Sequence, residues 1–230
     1  MGTISIIIPV LNEADSIETL ILHLTKVAKY PKNIEIIIVD GGSTDGTQQI
    51  VSSIKNVLVL HSDKGRAKQM NLGASQARHD ILYFLHADSF PPHHFDALII
   101  NEIEKGNLAG CFRMQFQSSH WWLRLASWLT QFRWRACRGG DQSQFITKAL
   151  FNTIGGYDES YTIYEDNILI NELYKRNEFV VINKTIKTSA RLYERHGVWK
   201  LQYHFYAIYV KRWLGASAAD LYEYYKKYIA

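Results

Sequence analysis

The fold is decided by residues 34–47, which read IEIIIVDGGSTDGT. The first part of this stretch, Ile34 to Val39, is apolar and β-branched at nearly every position, which is typical of a strand buried on both faces of a sheet. Asp40 follows directly, and a glycine-rich turn then leads into an amphipathic segment from Thr47 to Ile54. A buried strand, a turn and a helix form the repeating unit of α/β sheets.

The same unit recurs on both sides of this stretch. Short apolar runs predict further strands at residues 4–8, 57–60, 81–85 and 111–116. Apolar residues spaced three and four apart predict helices at residues 17–28, 67–78 and 92–105. This alternation predicts an α/β fold, with a mostly parallel central sheet and helices on both faces. Ligands on such sheets bind at the carboxyl ends of the strands.

The composition of the 230-residue chain excludes several classes of protein. Hydrophobic residues make up 47% and only 4 residues are Pro, so neither disorder nor a repeat array is expected. A net charge of +4 and the lack of a recognisable module argue against nucleic acid as a partner. No apolar run approaches the ~20 residues of a membrane-spanning helix.

The cysteine content and the start of the chain predict a cytoplasmic location. Cys111 and Cys137 are too few for a disulfide framework, and we expect both to be reduced. The apolar run from Ile4 to Leu11 is short and has no basic leader, so it does not resemble a signal peptide.

The second half of the chain is rich in aromatic residues and basic towards its end. We expect helices at residues 120–134, 165–176 and 196–230. Trp and Tyr side chains among Lys and Arg suit either sugar rings or an anionic membrane surface, and core packing of amphipathic helices is the alternative.

No linker is evident, so we predict a single domain over residues 1–230. We divide it into a nucleotide-binding half at residues 1–105, an acceptor half at 106–200 and C-terminal aromatic-basic helices at 201–230.

Polar residues follow three of the predicted strands. Asn12 and Glu13 come after the first, Asp40 after the second and Asp88 after the fourth. Each could merely cap the next helix, but their shared position at one sheet edge favours a binding site. No Lys follows Gly46, which excludes a phosphate-binding P-loop, and the first turn lacks the glycine pattern of a dinucleotide site.

Seven stretches, in order, resemble the motifs of family 2 glycosyltransferases, which have the GT-A fold. They are SIIIPVLNE at 5–13, VDGGSTDGT at 39–47, KGRAKQMNLGA at 64–74, LHAD at 85–88, GGDQ at 139–142, GGY at 155–157 and ED at 165–166. The chain is most similar to the short bacterial members with a His-Ala-Asp motif and a Thr-Ser-Ala-Arg stretch, here residues 188–191. The resemblance implies inverting transfer of a sugar from a nucleotide-diphospho-sugar, with UDP favoured, to a hydroxyl acceptor.

The resemblance also implies a role for each matched position. Contacts to the nucleotide are implied at Pro9, Val10, Leu11, Glu13 and Asp40. Contacts to the diphosphate and the rest of the donor are implied at Lys64, Gly65, Arg66, Gln69, His86, Ala87 and Asp88. Contacts to the donor sugar and the acceptor are implied at Gly140, Asp141 and Gln142.

A divalent cation, Mn²⁺ or Mg²⁺, is implied as the cofactor. Asp88 matches the last acid of the metal-binding Asp-x-Asp motif, and His196 matches a histidine that closes the metal site in many GT-A enzymes. His86 stands where the first Asp is usual. Imidazole suits Mn²⁺ better than Mg²⁺, so the departure bears on the identity of the metal.

Asp166 matches the general base of the family's Glu-Asp motif, and Glu165 is implied as a supporting or acceptor-binding residue. The acceptor is not identified by the sequence, and the aromatic-basic tail favours one that is lipid-linked or held at the inner face of the membrane. Two alternatives stay open: a nucleotidyltransferase that attacks the α-phosphate, and a non-catalytic nucleotide-sugar-binding module, which the substitution at His86 motivates.

Overall fold

The computed structural model describes residues 2–230, and an eight-stranded sheet runs through its centre. The strands are β1 (Ile4–Val10), β2 (Ile34–Asp40), β3 (Val57–His61), β4 (Ile81–Phe84), β5 (Ser89–Phe90), β6 (Ala109–Phe116), β7 (Gln144–Thr147) and β8 (Val180–Thr188). The helices are α1 (Ile17–Val27), α2 (Thr47–Ser53), α3 (Arg66–Gln76), α4 (Phe95–Glu104), α5 (Trp121–Leu129), α6 (Lys148–Ile154), α7 (Glu165–Lys175), α8 (Arg191–His196), α9 (Val198–Trp213) and α10 (Ala218–Tyr228).

The strands lie in the order β3-β2-β1-β4-β7-β6-β8-β5. Strands β1 to β4 are parallel to one another, and β1 lies between β2 and β4, with Ile6 opposite both Ile36 and Tyr83. Strand β7 runs antiparallel to β4 and β6, while β6 and β8 are parallel. The predicted α/β fold with a mostly parallel sheet is confirmed, and both predicted halves of the chain contribute to the same sheet.

Apolar residues on both faces of the sheet explain the layers of helices. On one face, Ile6 and Ile8 pack with residues of α1 and α4. On the other face, Ile7 packs with residues of α3, α6 and α7. Because successive side chains of a strand point to opposite faces, a continuous apolar run is needed to bury both. A smaller cluster that includes Leu201 and Leu221 holds α9 and α10 together.

The structure differs from the sequence-based prediction mainly in the second half of the chain. Strands β5, β7 and β8 and helix α6 were not predicted, because the first two are only two and four residues long and β8 contains Asn and Lys side chains. The helical segment predicted at 196–230 is interrupted near Gly197 and Gly215, where φ is 82° and 94°. Within residues 2–230, the structure has no helix with both the length and the apolar character needed to cross a bilayer.

Candidate active site

The turns after β1 and β2 form one wall at the carboxyl edge of the sheet. Asn12, in a left-handed conformation with φ 57°, donates its backbone N–H to the Ser43 hydroxyl at 2.9 Å and accepts from the Thr44 N–H at 2.9 Å. The backbone N–H of Glu13 donates to the Thr47 hydroxyl at 2.9 Å. The predicted nucleotide-binding turn, residues 9–13, is therefore fixed against the glycine-rich turn after β2.

Asp40 lies fully buried beneath this wall. Its carboxylate accepts hydrogen bonds from the backbone N–H of Gly42 at 3.1 Å and of Ser43 at 3.2 Å, and from the side-chain amide of Gln48 at 2.7 Å. Burial by itself would raise the pKa of Asp40, but the bonds from Ser43 and Gln48 hold it below its usual value. In this conformation the Asp40 carboxylate stabilises the glycine-rich turn after β2. Its predicted hydrogen bond to a nucleotide base stays a prediction, and it requires this turn to open.

Gln69 does not reach the cleft as the sequence predicted. Its side-chain amide donates to the backbone carbonyls of Val10 at 2.9 Å and Val39 at 2.7 Å, and the residue is 4% exposed. Gln69 therefore ties the ends of β1 and β2 together. The predicted phosphate-contacting residues just before it do lie at the surface: Lys64 is exposed, and Gly65 precedes α3 with φ 144°.

Arg66, at the start of α3, lies against the predicted catalytic pair. Its Nη1 is 3.5 Å from Oε1 of Glu165 and 3.8 Å from Oδ2 of Asp166. Burial would lower the pKa of Arg66, but these two carboxylates, with Asp141, raise it above its usual value. A half-exposed guanidinium in this position can contact a bound anion while it also balances the charge of the acids behind it.

Glu165 and Asp166 form the first turn of α7, which follows Tyr164 in a left-handed conformation with φ 72°. Glu165 is 1% exposed, and neither of its carboxylate oxygens accepts a hydrogen bond from any residue between 2 and 230. Burial and the neighbouring Glu165 raise the pKa of Asp166 to about 7, and Arg66 opposes this shift only in part. A carboxylate with a pKa near the working pH is suited to accept a proton.

Gly140 packs directly against Asp166. A methyl group at position 140 would overlap Oδ2 of Asp166 and would lie 3.3 Å from Nε2 of His86. The structure thus brings together three predicted site residues: His86 from the loop after β4, Gly140 from the turn at residues 139–142, and Asp166 from α7. Only glycine leaves the Asp166 carboxylate room at this point.

Asp141 and Gln142, the next two residues of the turn, differ in what surrounds their side chains. Asp141 borders the cleft, where the surrounding protein atoms desolvate its carboxylate. This desolvation raises its pKa, Asp166 adds to the shift and Arg66 opposes it. Gln142 is buried: its side-chain amide donates to the Cys137 carbonyl at 2.5 Å, and its oxygen accepts from Arg138 at 2.6 Å. In this conformation the side chain of Gln142 holds the shape of the turn, and its predicted substrate contact stays a prediction.

Asp88 is connected to the first turn by an arginine to which the sequence analysis gave no role. Nη1 of Arg191 donates to Glu13 at 3.0 Å, and its Nη2 lies 3.6 Å from Oδ2 of Asp88. Burial, followed by Asp141 and Glu13, raises the pKa of Asp88 to about 6 despite Arg191. The only sequence signal for this bridge is the position of Arg191 just after the last strand, in the Thr-Ser-Ala-Arg stretch.

The three predicted metal ligands do not form a protein cage. Among residues 2–230, no three His, Cys, Asp or Glu side chains lie close enough together to hold a metal ion by themselves. His196 lies at the end of α8, and its predicted role as a metal ligand stays a prediction. Burial and Arg66 lower the pKa of His86 to about 3, which leaves it a neutral imidazole.

The cleft nevertheless fits a cation that is held partly by the donor. In the cleft, five interacting carboxyl groups (Glu13, Asp88, Asp141, Glu165 and Asp166) face two guanidinium groups (Arg66 and Arg191), so negative charge is in excess. Mg²⁺ sites in phosphate-handling enzymes commonly use one or two carboxylates together with substrate phosphates rather than an all-protein cage. Asp88, whose side chain is partly exposed, is the candidate carboxylate for this arrangement.

Comparisons with known proteins identify the family of the chain. A family model described as Glycosyl transferase family 2 matches residues 5–166. The chain is 26% identical to the undecaprenyl-phosphate 4-deoxy-4-formamido-L-arabinose transferase of Proteus mirabilis over 193 residues, which cover 79% of the chain and 55% of that protein. It is 28% identical to the succinoglycan biosynthesis protein ExoA of Rhizobium meliloti over 214 residues, or 83% of the chain and 63% of ExoA. The chain thus spans less than two thirds of the length of either relative.

The fold is also that of a solved protein. The structure superposes on S. aureus TarS 1-349, crystallised in complex with UDP, with a TM-score of 0.66 over 82% of this chain and 60% of that chain, at 19% identity. This likeness establishes the GT-A fold. The family model spans well over half of the chain, from the first strand to Asp166 in the cleft, and the chain therefore belongs to glycosyl transferase family 2.

Proposed function

We propose that the protein is an inverting glycosyltransferase that moves a sugar from a nucleotide-diphospho-sugar, with UDP favoured, to a hydroxyl acceptor carried by a membrane lipid. The family supports glycosyl transfer over nucleotidyl transfer. The TarS structure with UDP supports a uridine nucleotide, and the name of the Proteus relative supports an acceptor class linked to a membrane lipid.

The observation that carries this proposal is the environment of Asp166. Its carboxylate is nearly buried, its pKa is raised to about 7, and Gly140 has no side chain that would cover it. A group that had only a structural role at a helix start would need neither the raised pKa nor the glycine opposite it. Glu165 beside it is buried and ion-paired with Arg66, which suits a supporting role behind Asp166.

The reaction that follows is a single displacement. The acceptor hydroxyl donates its proton to the Asp166 carboxylate as its oxygen attacks the anomeric carbon. The bond between that carbon and the diphosphate oxygen breaks on the opposite side, and the electron pair leaves with the nucleoside diphosphate. Attack from the face opposite the leaving group inverts the anomeric configuration. The guanidinium of Arg66 stays close to Glu165 and Asp166 and partly neutralises the negative charge of the Asp166 carboxylate.

Asp88 would bind the divalent cation together with the donor phosphates, and when bound the cation would neutralise charge on the departing diphosphate. The excess of carboxyl groups in the cleft supports this role for Asp88 without requiring His196. Lys64 and the Gly65 turn lie at the surface beside Arg66 and are suited to contact the same diphosphate.

The charge of the cleft favours a hydroxyl acceptor over a lipid phosphate. A phosphate oxygen is already ionised and does not need a general base, whereas a hydroxyl does. An anionic acceptor would also approach the excess of carboxylates around Asp166 at an electrostatic cost. The raised pKa of Asp166 is therefore useful only when the acceptor carries a proton to remove.

The proposal is tested by Asp166→Asn, with Glu104→Gln as a control that removes one exposed carboxylate on α4. A screen of nucleoside diphosphates and UDP-sugars with Mn²⁺ by thermal shift first identifies the donor. We expect Asp166→Asn to bind this donor normally but to transfer sugar to a hydroxyl acceptor about 10²–10⁴-fold more slowly. Wild-type transfer rates in Asp166→Asn would refute the role of Asp166, and transfer only to a lipid phosphate would refute the acceptor class.

A further inference from the structure

Helix α9 carries an exposed aromatic face. Residues 199, 203, 206, 210 and 213 recur at intervals of three and four and therefore lie on one side of the helix. They are Trp199, Tyr203, Tyr206, Val210 and Trp213, and all five are exposed, Tyr203 at 67% and Trp213 at 84%. Core packing, the alternative that the sequence left open for these residues, is thus wrong for this face. The opposite side of α9, with Leu201 and Ile208, packs against the rest of the protein.

Helix α5 extends the same face. Trp121, Leu125 and Trp128 also follow helical spacing and are exposed. The two helices meet where the rings of Trp121 and Trp199 lie 5.7 Å apart. The indole N–H of Trp122 also donates to the side chain of Gln202 at 3.2 Å. We call these eight exposed residues of α5 and α9 the aromatic face.

The charges on these two helices are all positive. Arg124 on α5 and Lys200 on α9 are exposed beside the aromatic face, and neither helix contains an Asp or a Glu. The other two cations of α9 lie away from this face: Lys211 lies over the ring of Tyr224 and Arg212 over the ring of Tyr161. A water-exposed helix face normally carries polar residues of both signs. Amphipathic Trp and Tyr rings beside Lys and Arg are instead the composition found at membrane interfaces, where one end of the ring is apolar and the other is hydrated.

We infer that the aromatic face lies on an anionic phospholipid membrane, with α9 parallel to the membrane plane. The inference adds a docking surface to the proposed function and agrees with its lipid-linked acceptor, but it rests on the surface alone. Aromatic rings enter the headgroup region, and the basic residues pair with lipid phosphates. A second copy of this chain is a poorer occupant, because Arg124 and Lys200 beside the face of one copy would meet the same cations of the other.

Helix α9 also contacts the start of α7, where Glu165 and Asp166 lie. Tyr209 on α9 donates its hydroxyl hydrogen to Oδ1 of Asn167 at 3.1 Å, and its ring packs edge-on against Tyr164 at 5.2 Å. Asn167 directly follows Asp166. Docking through α9 would therefore hold the cleft beside the membrane surface, within reach of an acceptor carried by a lipid.

The test measures binding of the full chain to vesicles by sedimentation. The vesicles are either pure phosphatidylcholine or phosphatidylcholine with phosphatidylglycerol. The double variant Tyr203→Ser with Trp213→Ser removes two rings of the aromatic face without opening the core. The matched control is Leu22→Ser, because Leu22 on α1 is also well exposed, at 65%, but lies outside the face. We expect the double variant to bind anionic vesicles at least about tenfold more weakly, and the control to bind like the wild type.

A second pair of variants tests the charge. Arg124→Glu with Lys200→Glu should weaken binding to anionic vesicles by about tenfold or more, whereas Lys32→Glu with Lys55→Glu, the same change of net charge elsewhere on the surface, should not. Circular dichroism checks that each variant is folded. Donor hydrolysis in solution should stay at the wild-type rate in all of them, which separates a failure of docking from a failure of the proposed function.

The inference is overturned if the wild-type chain binds neither kind of vesicle, or if both pairs of surface variants bind as well as their controls. It is also overturned if the chain self-associates through this face, with association lost in the Tyr203 and Trp213 double variant and no vesicle binding in the wild type. Binding that requires both the rings and the positive charges supports it.

Discussion

Replacement of Gly140 by alanine should disable the enzyme while leaving the fold intact. The added methyl group would overlap Oδ2 of Asp166, so the carboxylate or the 139–142 turn must move. Gly140 lies in a short helical turn and does not have a positive φ, so the backbone itself accepts alanine. The perturbation is therefore local to the contact between position 140 and the proposed base.

The expected loss follows from the size of the required movement. To relieve the overlap, Oδ2 has to move away by at least about 1 Å, and a displacement of this size in a catalytic group costs about 10²-fold in rate. We therefore expect turnover of the donor and a hydroxyl acceptor to fall about 100-fold in Gly140→Ala. Donor affinity should change much less, because the proposed diphosphate contacts at Lys64 and Arg66 come from a different loop.

The neighbouring glycine provides the control. A methyl group at Gly139 would meet nothing within 4 Å, and φ there is −163°, which any residue adopts. Gly139→Ala should therefore keep the wild-type rate in an assay of nucleoside diphosphate release with Mn²⁺. The reasoning fails if Gly140→Ala turns over like the wild type, or if Gly139→Ala loses as much activity as Gly140→Ala.

Three further predictions follow from the site. The transfer rate should rise with pH up to about 7, because only the ionised carboxylate of Asp166 can accept a proton. The free energy of unfolding should instead fall between pH 3.8 and about 7, because in this range the folded state retains a proton on Asp166 that the unfolded state has released. Rate profiles and urea denaturation should both flatten in Asp166→Asn. Gln69→Leu should lower the free energy of unfolding by about 1–3 kcal/mol, since the buried carbonyls of Val10 and Val39 each lose a hydrogen bond, whereas the exposed Gln76→Leu should not. Calorimetric titration should show that Mn²⁺ tightens UDP binding in the wild type but not in Asp88→Asn, and equal tightening in both would exclude Asp88 as a ligand.

The fold of the first half could be predicted from the sequence because its signals are local. The runs at 4–8 and 34–39 are apolar at almost every position, and burial on both faces of a parallel sheet is the structure that accommodates them. Strand β7 gave no such signal, because four residues are too few to show a period. Its place between β4 and β6 depends on pairing partners far away in the chain.

The motifs identified the family, but they did not separate residues that form the cleft from those that support it. Gln69 and Gln142 belong to matching stretches, yet each is buried and bound to backbone carbonyls. Arg191 belongs to a matching stretch without an implied role, yet it joins the first turn to Asp88. Whether a side chain points into a cleft depends on backbone direction at that residue, which a motif does not encode.

Periodicity and motif order are properties of the chain, so they were enough to predict the α/β alternation, the family and the acids at the strand ends. They could not predict the pKa of Asp166, the need for glycine at position 140 or the outward orientation of the aromatic face. Each of these depends on atoms that folding brings together from distant segments, and burial, charge and free space are properties of that assembled neighbourhood rather than of any residue alone.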